Sequence, residues 1–447
     1  MADAARTAAL EVLRAVRSAD AYTNLALPTA LKRHALTGRD AAFATELASG
    51  TVRRQGLYDA VLAACVDRPL AKVQARVLDA LRLGTHQLLA MRVPAHAAIS
   101  TTVALVRSDV GPGAAGFANA VLRRVSEHDL DGWVARVAPD AVDDRFGHLS
   151  VAYAHPRWVV EELARALGDT DHELEALLAA DNEAPGVTLV ARPGRSTRDE
   201  LPGEPTRWSP YGVHLASGDP GAVDAVREGR AGVQDEGSQL VALALAGAPI
   251  DGLDQRWLDL CAGPGGKAAL LAALSASRGA GLVANERQPH RTELVRRALD
   301  GSPGVLGIVT ADGTAPPWDS GTFDRVLVDA PCTGLGALRR RAEARWRRQP
   351  ADLIGLVPLQ KALLISALES VRPGGVVLYA TCSPVLAETS EVVSAVLASR
   401  PDAALDDAVA LLPDVPDCAG PLPGTFQLWP HRHGTDGMFG ALLRRRA

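Results

Sequence analysis

The chain has 447 residues, 47% of them hydrophobic and 22% charged, with a formal net charge of −5. That length exceeds one ordinary core and predicts two or three globular domains, while the composition excludes a disordered or low-complexity chain. No uninterrupted apolar run reaches the length of a membrane-spanning helix. The opening MADAARTAALEVLRAV contains Asp3 and Glu11 and lacks an apolar core, so it does not read as a signal peptide, and a cytoplasmic protein is expected. The five cysteines, Cys65, Cys261, Cys332, Cys382 and Cys418, are widely spaced without a CxxC pair. This argues against a zinc site or a disulfide framework, and no metal is expected. The net charge does not announce a nucleic-acid binder, but phosphate contact depends on local patches. Candidates are Arg339 to Arg348 (RRRAEARWRR), the group His431, Arg432 and His433, and Arg444 to Arg446.

Residues from about 4 to 135 predict a helical bundle, because Leu10, Leu13 and Val16, then Val73, Val77, Leu78 and Leu81, recur at helical spacing. The polar, acidic stretch 136–150 reads as a linker. A helix through EELARAL follows, then the strand-like VTLVAR, then a loop region marked by Pro193, Pro202, Pro205 and Pro210. Together these predict a small α+β module. From about 232 short apolar runs alternate with helices: WLDLC (257–261), GLVANE (281–286), LGIVTAD (306–312), RVLVDAP (325–331) and GVVLYATC (375–382). That alternation implies a parallel sheet covered on both faces. The domains are therefore expected at 1–138, 139–231 and 232–447.

In such sheets ligands bind beyond the carboxyl ends of the strands. The first strand ends in Asp259-Leu260-Cys261-Ala262-Gly263-Pro264-Gly265-Gly266-Lys267. Its glycines allow close backbone approach to a ligand, and the following helix N-terminus favours an anionic group. It is neither a Walker loop, since Ala268 follows Lys267, nor GxGxxG. Glu286, Asp312 and Asp329 end the next three strands, and acids there fit a nucleoside ligand through its ribose hydroxyls. A nicotinamide dinucleotide is the rival ligand, and the cysteines argue against it. Cys332 lies in DAPCTG and Cys382 in ATCSP, each in a turn after a strand, so both could face one crevice. A single cysteine is most often a buried apolar residue. Two at strand ends suit a reaction that needs a thiolate: addition to carbon 6 of cytosine makes carbon 5 nucleophilic enough to accept a methyl group. Asp329 is suited to the amidine edge of the ring, and the base must be single-stranded or flipped out.

These motifs resemble the Fmu/Sun (RsmB-like) family of bacterial 16S ribosomal RNA cytosine-5 methyltransferases. The resemblance is carried by GVQDEGSQLVALAL (232–245), LDLCAGPGGK, DAPCTGLGALRRRAEARWRR, LYATCSPVLAETSEVV and the closing WPHRHGTDGMFGALLRR, which resembles a hairpin with an Asp-Gly turn. Residues 4–125 resemble the family's fused NusB-like domain through RDAAFATELASGTVRR, LRLGTHQLLAMRVPAHAAI and GFANAVLRRV. The resemblance implies an all-α NusB-like bundle, a small α+β RNA-recognition-like module and an α/β Rossmann-like S-adenosylmethionine methyltransferase domain. It also implies RNA contact by the bundle and 16S ribosomal RNA as partner; nothing demands a dimer, and a monomer is expected. It makes Cys382 the nucleophile and Cys332 the residue that resolves the adduct. It assigns cofactor contacts to Cys261 through Lys267, Glu286, Asp312 and Asp329. Glu286 replaces the more usual Asp, and Gly263 stands where many members have Ala. The arginine run after the DAPC turn is expected beside the crevice, binding phosphate.

Overall fold

The computed structural model describes residues 3–19, 21–168 and 171–446. The backbone packs into two compact units: residues 1–184 with 338–347, and residues 185–337 with 348–447.

The first unit is helical. Ala4–Ser18, Thr23–Arg33, Gly38–Arg53, Gln55–Cys65, Ala75–Leu89, Ala95–Asp109 and Pro112–Val125 form the bundle predicted from spacing. Leu10, Leu13, Val73, Val77 and Leu81 are buried in its core with Leu47, Tyr58 and Leu122, while Val16 and Leu78 are partly buried against it. The bundle continues through Leu130–Val137, Arg145–Ala152, Arg157–Leu167 and Asp171–Ala180, so the unit runs to Ala184 rather than ending near residue 138. The stretch read as a linker therefore contains the end of one helix and the start of another. Its acids are local structure: Asp144 accepts the Gly147 N–H at 3.1 Å as an N-cap, and Asp140 accepts that of Val142 at 2.8 Å.

The arginine run is the larger departure. Leu338–Arg347 packs within the helical unit, not in the α/β fold that surrounds it in sequence. Arg345 is fully buried and donates to the carbonyls of Arg53, Ala154 and Asp181 and to Asn182 Oδ1. Trp346 donates to the Val52 carbonyl and lies where a Cβ on Gly56 would stand, 2.4 Å from its ring. Arg347 donates to the carbonyls of Val16 and Ala21. Arg339 is buried as well. A guanidinium that is fully buried and bonded to main-chain carbonyls is out of reach of a phosphate, so the phosphate-binding role does not hold for Arg345. Burial pushes the Arg345 pKa down to about 9, while the charge of Asp181 opposes that shift.

The second unit holds two sheets. The small one is antiparallel in the order β2-β3-β1-β4, formed by β1 (Thr188–Ala191), β2 (Glu204–Pro205), β3 (Gly212–His214) and β4 (Ala231–Val233). The large one runs β10-β12-β9-β8-β5-β6-β7. Strands β5 (Arg256–Asp259), β6 (Gly281–Asn285), β7 (Val305–Val309), β8 (Phe323–Asp329) and β9 (Val371–Thr381) are parallel. At its edge β12 (Phe439–Arg445) pairs antiparallel with β9, with β10 (Ala403–Asp406) and with β11 (Phe426–Gln427). Helices Gly266–Ala276, Pro289–Leu299, Asp352–Ser370 and Ser390–Ser399 accompany the strands. Asp352–Ser370 is long and apolar enough by composition to cross a membrane. Leu363, Leu364, Ala367 and Leu368 are instead buried in the core shared with β8 and β9, which explains the apolar face.

The GVQDEGSQ segment fastens this unit together. Asp235 caps the helix Glu236–Gly247 through the Gly237 N–H and also accepts the Asp436 N–H, both at 2.9 Å, so it ties the helix to the closing Asp-Gly turn. Glu236 accepts the N–H groups of Trp208 and Ser209 from the small-sheet region at 2.6 and 2.7 Å.

Replacing Arg345 by Ala strands the polar groups it satisfies in a dry interior. The expected cost is about 3–5 kcal/mol of stability, with a smaller loss for Arg345→Lys, read from urea unfolding of the full chain. A loss under 1 kcal/mol would remove Arg345 from the list of groups that hold the helical unit together.

Candidate active site

The strand order of the large sheet reverses at β5: β6 and β7 lie on one side, β8 and β9 on the other. Such a switch point opens a crevice at the carboxyl ends of the strands, and the motif residues gather at that end. Gly265 sits at φ +113°, and a Cβ there would come within 2.5 Å of the Ala298 Cβ, so this turn requires glycine. It starts the helix Gly266–Ala276 directly after β5.

Lys267, one residue into that helix, bonds Asp329 Oδ2 at 2.9 Å across the end of β8. Burial disfavours the ammonium, but Asp329 outweighs it, helped by the charge of Cys382, and the Lys267 pKa rises above its ordinary value. Lys267 is thus a fixed cation within electrostatic reach of Cys382. The two cysteine turns meet here: Cys332 Sγ and Cys382 Sγ are 3.5 Å apart, both half-buried and unoxidised. The hydrogen bond to Cys382, then burial, drives the Cys332 thiol well above its usual pKa, so Cys332 holds its proton.

Glu286 does not stand open at the end of β6. Its Oε2 accepts the Gly263 N–H at 3.1 Å and its Oε1 the Gln288 N–H at 2.9 Å, and Arg291 bonds the Gly263 carbonyl. A Cβ at Gly263 would lie 2.1 Å from Glu286 Oε2. The longer acid and the smaller loop residue are therefore one feature: the extra methylene of Glu286 carries its carboxylate into space an alanine methyl would fill. Each carboxylate oxygen keeps a second lone pair for a ligand hydroxyl. Asp312 turns to its own loop, accepting Thr314 N–H and Oγ1 at 3.0 and 2.8 Å, with Arg287 at 3.5 Å. These bonds, led by the Thr314 N–H, lower its pKa. Ala262 is buried and bonds the Asn285 carbonyl, while Pro264 is exposed. The Cys261 thiol is pushed well above its ordinary pKa by burial and by the acids around it, so it is a thiol lining the loop rather than a second nucleophile.

Three contributors were not singled out from sequence. Asp259, at the end of β5, is fully buried, and burial, reinforced by Asp329 and opposed by Lys267, raises its pKa to about 8. Asn285 ties the ends of β5 and β7 by donating to the carbonyls of Leu260 and Ala311. Glu388 is buried beneath both cysteine turns. All three were visible as polar residues inside or next to quoted motifs, but burial is what marks them, and that requires the fold.

The crevice leaves polar groups for a ligand to meet. The Gln234 amide, 3.9 Å from where a Cβ on Gly266 would be, and Asn285 Oδ1 are buried polar groups without hydrogen-bond partners. Among the described residues no group of three or more His, Cys, Asp or Glu side chains is arranged to hold a metal ion.

Comparison with known proteins decides the family. Residues 248–444 match the model described as 16S rRNA methyltransferase RsmB/F, and residues 3–127 match the NusB family. The ribosomal RNA small subunit methyltransferase B of Pseudomonas syringae pv. tomato is 34% identical over 98% of this chain and 96% of its own. The chain belongs to the RsmB/F family of RNA methyltransferases. It is an S-adenosylmethionine-dependent family, and this member carries an N-terminal NusB domain. A Mycobacterium tuberculosis protein whose name calls it a methyltransferase and gives no substrate is 54% identical over 99% of this chain and 97% of its own. The solved structure of PH0851 shares the fold at a TM-score of 0.80 and 24% identity, covering 99% of this chain and 98% of that one. NSun6 from Pyrococcus horikoshii shares it at 0.56 and 17%, covering 65% of this chain and 98% of that one.

Gly263→Ala should weaken S-adenosylmethionine binding about tenfold by displacing Glu286, and Gly263→Ala with Glu286→Asp should recover most of it. Calorimetric titration of the two singles and the double tests this; additive losses would separate the two positions. Burial holds the folded pKa of Asp259 at about 8, far above the ordinary 3.8, so its neutral form stabilises the fold at low pH, and that contribution is lost as pH rises to about 8. Asp259→Asn should therefore flatten the decline of melting temperature between pH 5 and pH 8.

Proposed function

We propose that the protein methylates carbon 5 of a cytidine in small-subunit (16S) ribosomal RNA, through a covalent bond from Cys382 to carbon 6. The observation that carries this reading is the 3.5 Å approach of two reduced cysteines beside the Lys267–Asp329 ion pair. The family membership and the similarity to small-subunit RNA methyltransferases support the substrate class. Cys261 through Lys267, Glu286, Asp312 and Asp329 would hold S-adenosylmethionine, which when bound supplies an electrophilic methyl group.

Cys382 Sγ adds to carbon 6 as a thiolate, next to the Lys267 cation, and carbon 5 becomes enamine-like. Asp329, paired with Lys267, accepts from the exocyclic amino group and orients the ring. Cys332 starts as the thiol because Cys382 bonds to it and repels its charge. Once Cys382 Sγ is bonded to carbon, both effects vanish, the pKa of Cys332 falls toward its ordinary value, and its proton passes to water more readily. After methylation its thiolate takes the carbon 5 proton, the Cys382–carbon 6 bond breaks, and the aromatic ring returns. The order of the two cysteines thus has an electrostatic basis: bonding at one releases the other. The NusB domain supports RNA contact by the helical unit, and the reading puts the protein in the cytoplasm, as a monomer, with ribosomal RNA.

Cys382→Ser should abolish methyl transfer to RNA in a labelled-cofactor assay; transfer at the wild-type rate would end the nucleophile assignment. Cys332→Ala should accumulate a covalent protein–RNA complex, seen as a shifted gel band, and normal turnover without that band would exclude Cys332. Bisulfite sequencing of ribosomal RNA from cells lacking the protein should reveal one unmethylated cytidine.

A further inference from the structure

Glu388 lies outside the reacting pair, yet its carboxylate is shared by the two turns that bear it. The side chain is fully buried. Its Oε1 accepts the Thr333 N–H at 2.8 Å and Gln360 Nε2 at 3.0 Å. Its Oε2 accepts Thr333 Oγ1 and, at 2.6 Å, Ser383 Oγ. Thr333 directly follows Cys332, and Ser383 directly follows Cys382. Their hydroxyls also meet each other at 3.0 Å. Gln360 reaches the Pro331 carbonyl at 2.9 Å, on the other side of Cys332, and Tyr379 OH pins the Glu388 carbonyl at 2.7 Å from β9.

A buried carboxylate is costly unless its lone pairs are all engaged, and here four donors occupy about four acceptor sites. Those donors come from segments far apart in sequence, and two of them adjoin the reactive sulfurs. Apolar packing is non-directional, whereas short charge-assisted bonds at 2.6–2.8 Å fix both the distance and the direction of the groups they join. We infer that Glu388 is a positioning residue that sets the Cys332–Cys382 spacing, so that both sulfurs address adjacent carbons of one pyrimidine. Its consequence for catalysis rests on the methyltransferase reading above; the spacing role does not.

The test uses the full chain, with Glu388→Gln, which keeps the shape but turns one acceptor into a donor, and Glu388→Asp, which keeps the charge but withdraws it. Dibromobimane, which fluoresces when it bridges two thiols, is reacted with each protein, and the bridged peptides are mapped by mass spectrometry. Wild type should give the Cys332–Cys382 bridge. In Glu388→Gln that bridge should form about tenfold more slowly, with singly labelled cysteines in its place, and Glu388→Asp should fall between the two. The turnover number should drop about 10- to 100-fold with the KM for S-adenosylmethionine unchanged, since the cofactor loop is untouched. Unaltered bridging in Glu388→Gln overturns the proposal. Slowed bridging in a protein whose wild type transfers no methyl group to RNA upholds the spacing role and sinks the methyltransferase reading instead. Should Glu388→Gln fail to fold, Ser383→Ala removes a single donor and should slow bridging in the same direction; unaltered bridging there overturns the proposal equally.

Discussion

The parallel pairing of β8 with β9 is the constraint from which the site follows. Asp329 registers with Ala380, so the two strands end level and their turns leave from the same edge. Cys332 comes three residues after one partner and Cys382 two after the other, which brings together sulfurs fifty positions apart in the chain. Parallel strands advance about 3.3 Å per residue, so a slip of one position would carry one sulfur away by nearly the whole distance now between them. Arg325 anchors β8 on its other side, to the segment that leads into β5 and to the end of the helix Glu236–Gly247. It is fully buried, forks onto Asp254 with two bonds of 2.8 Å and reaches the carbonyls of Leu245 and Ala248.

Buried charges recur through the molecule, and each is handled by different means. Arg345 is surrounded by carbonyls, which suits a delocalised cation with five donors. Glu388 is saturated by four donors. Asp259 has no ion-pair partner among the described residues, and its raised pKa keeps it neutral below about pH 8. Lys267 stays charged despite its burial because Asp329 is against it. The crevice thus contains one acid held neutral and one paired with a lysine, a few residues apart in the sheet, and a change in either would be felt by Lys267.

Much of this was legible in the chain before folding. The parallel strands were marked by apolar runs ending in Asp259, Glu286 and Asp329, and the helical bundle by the spacing of Leu10, Leu13, Val77 and Leu81. The pairing of the two cysteine motifs could be anticipated because each closes a strand. What stayed hidden depends on partners distant in sequence. Nothing in RRRAEARWRR reveals that Arg345 and Trp346 belong to helices ending at residues 53 and 180, since a buried arginine and a solvated one are spelled alike. The linker reading of 136–150 failed for a local reason: the acids that make it look like solvent-exposed chain are the residues that cap and turn a helix. Glu286 and Gly263 looked like two separate mild changes, and only the 2.1 Å clash distance joins them.

The excursion of Leu338–Arg347 has a consequence for how the protein is made. A ribosome releases the N-terminal helices first, and domains ordinarily fold as they emerge. Here the early helices meet the side chains that complete their interior only after most of the remaining polypeptide, including β1 to β8, has been synthesised. Until Arg345 and Trp346 arrive, the interior around Asp181 and Gly56 is unfilled. The nascent bundle must wait in an unfinished form, and a fragment cut after Ala184 would remain in it. The two units are separate bodies by packing but not separable pieces of chain, so exchanging one of them between relatives would require moving ten residues embedded in the other's sequence.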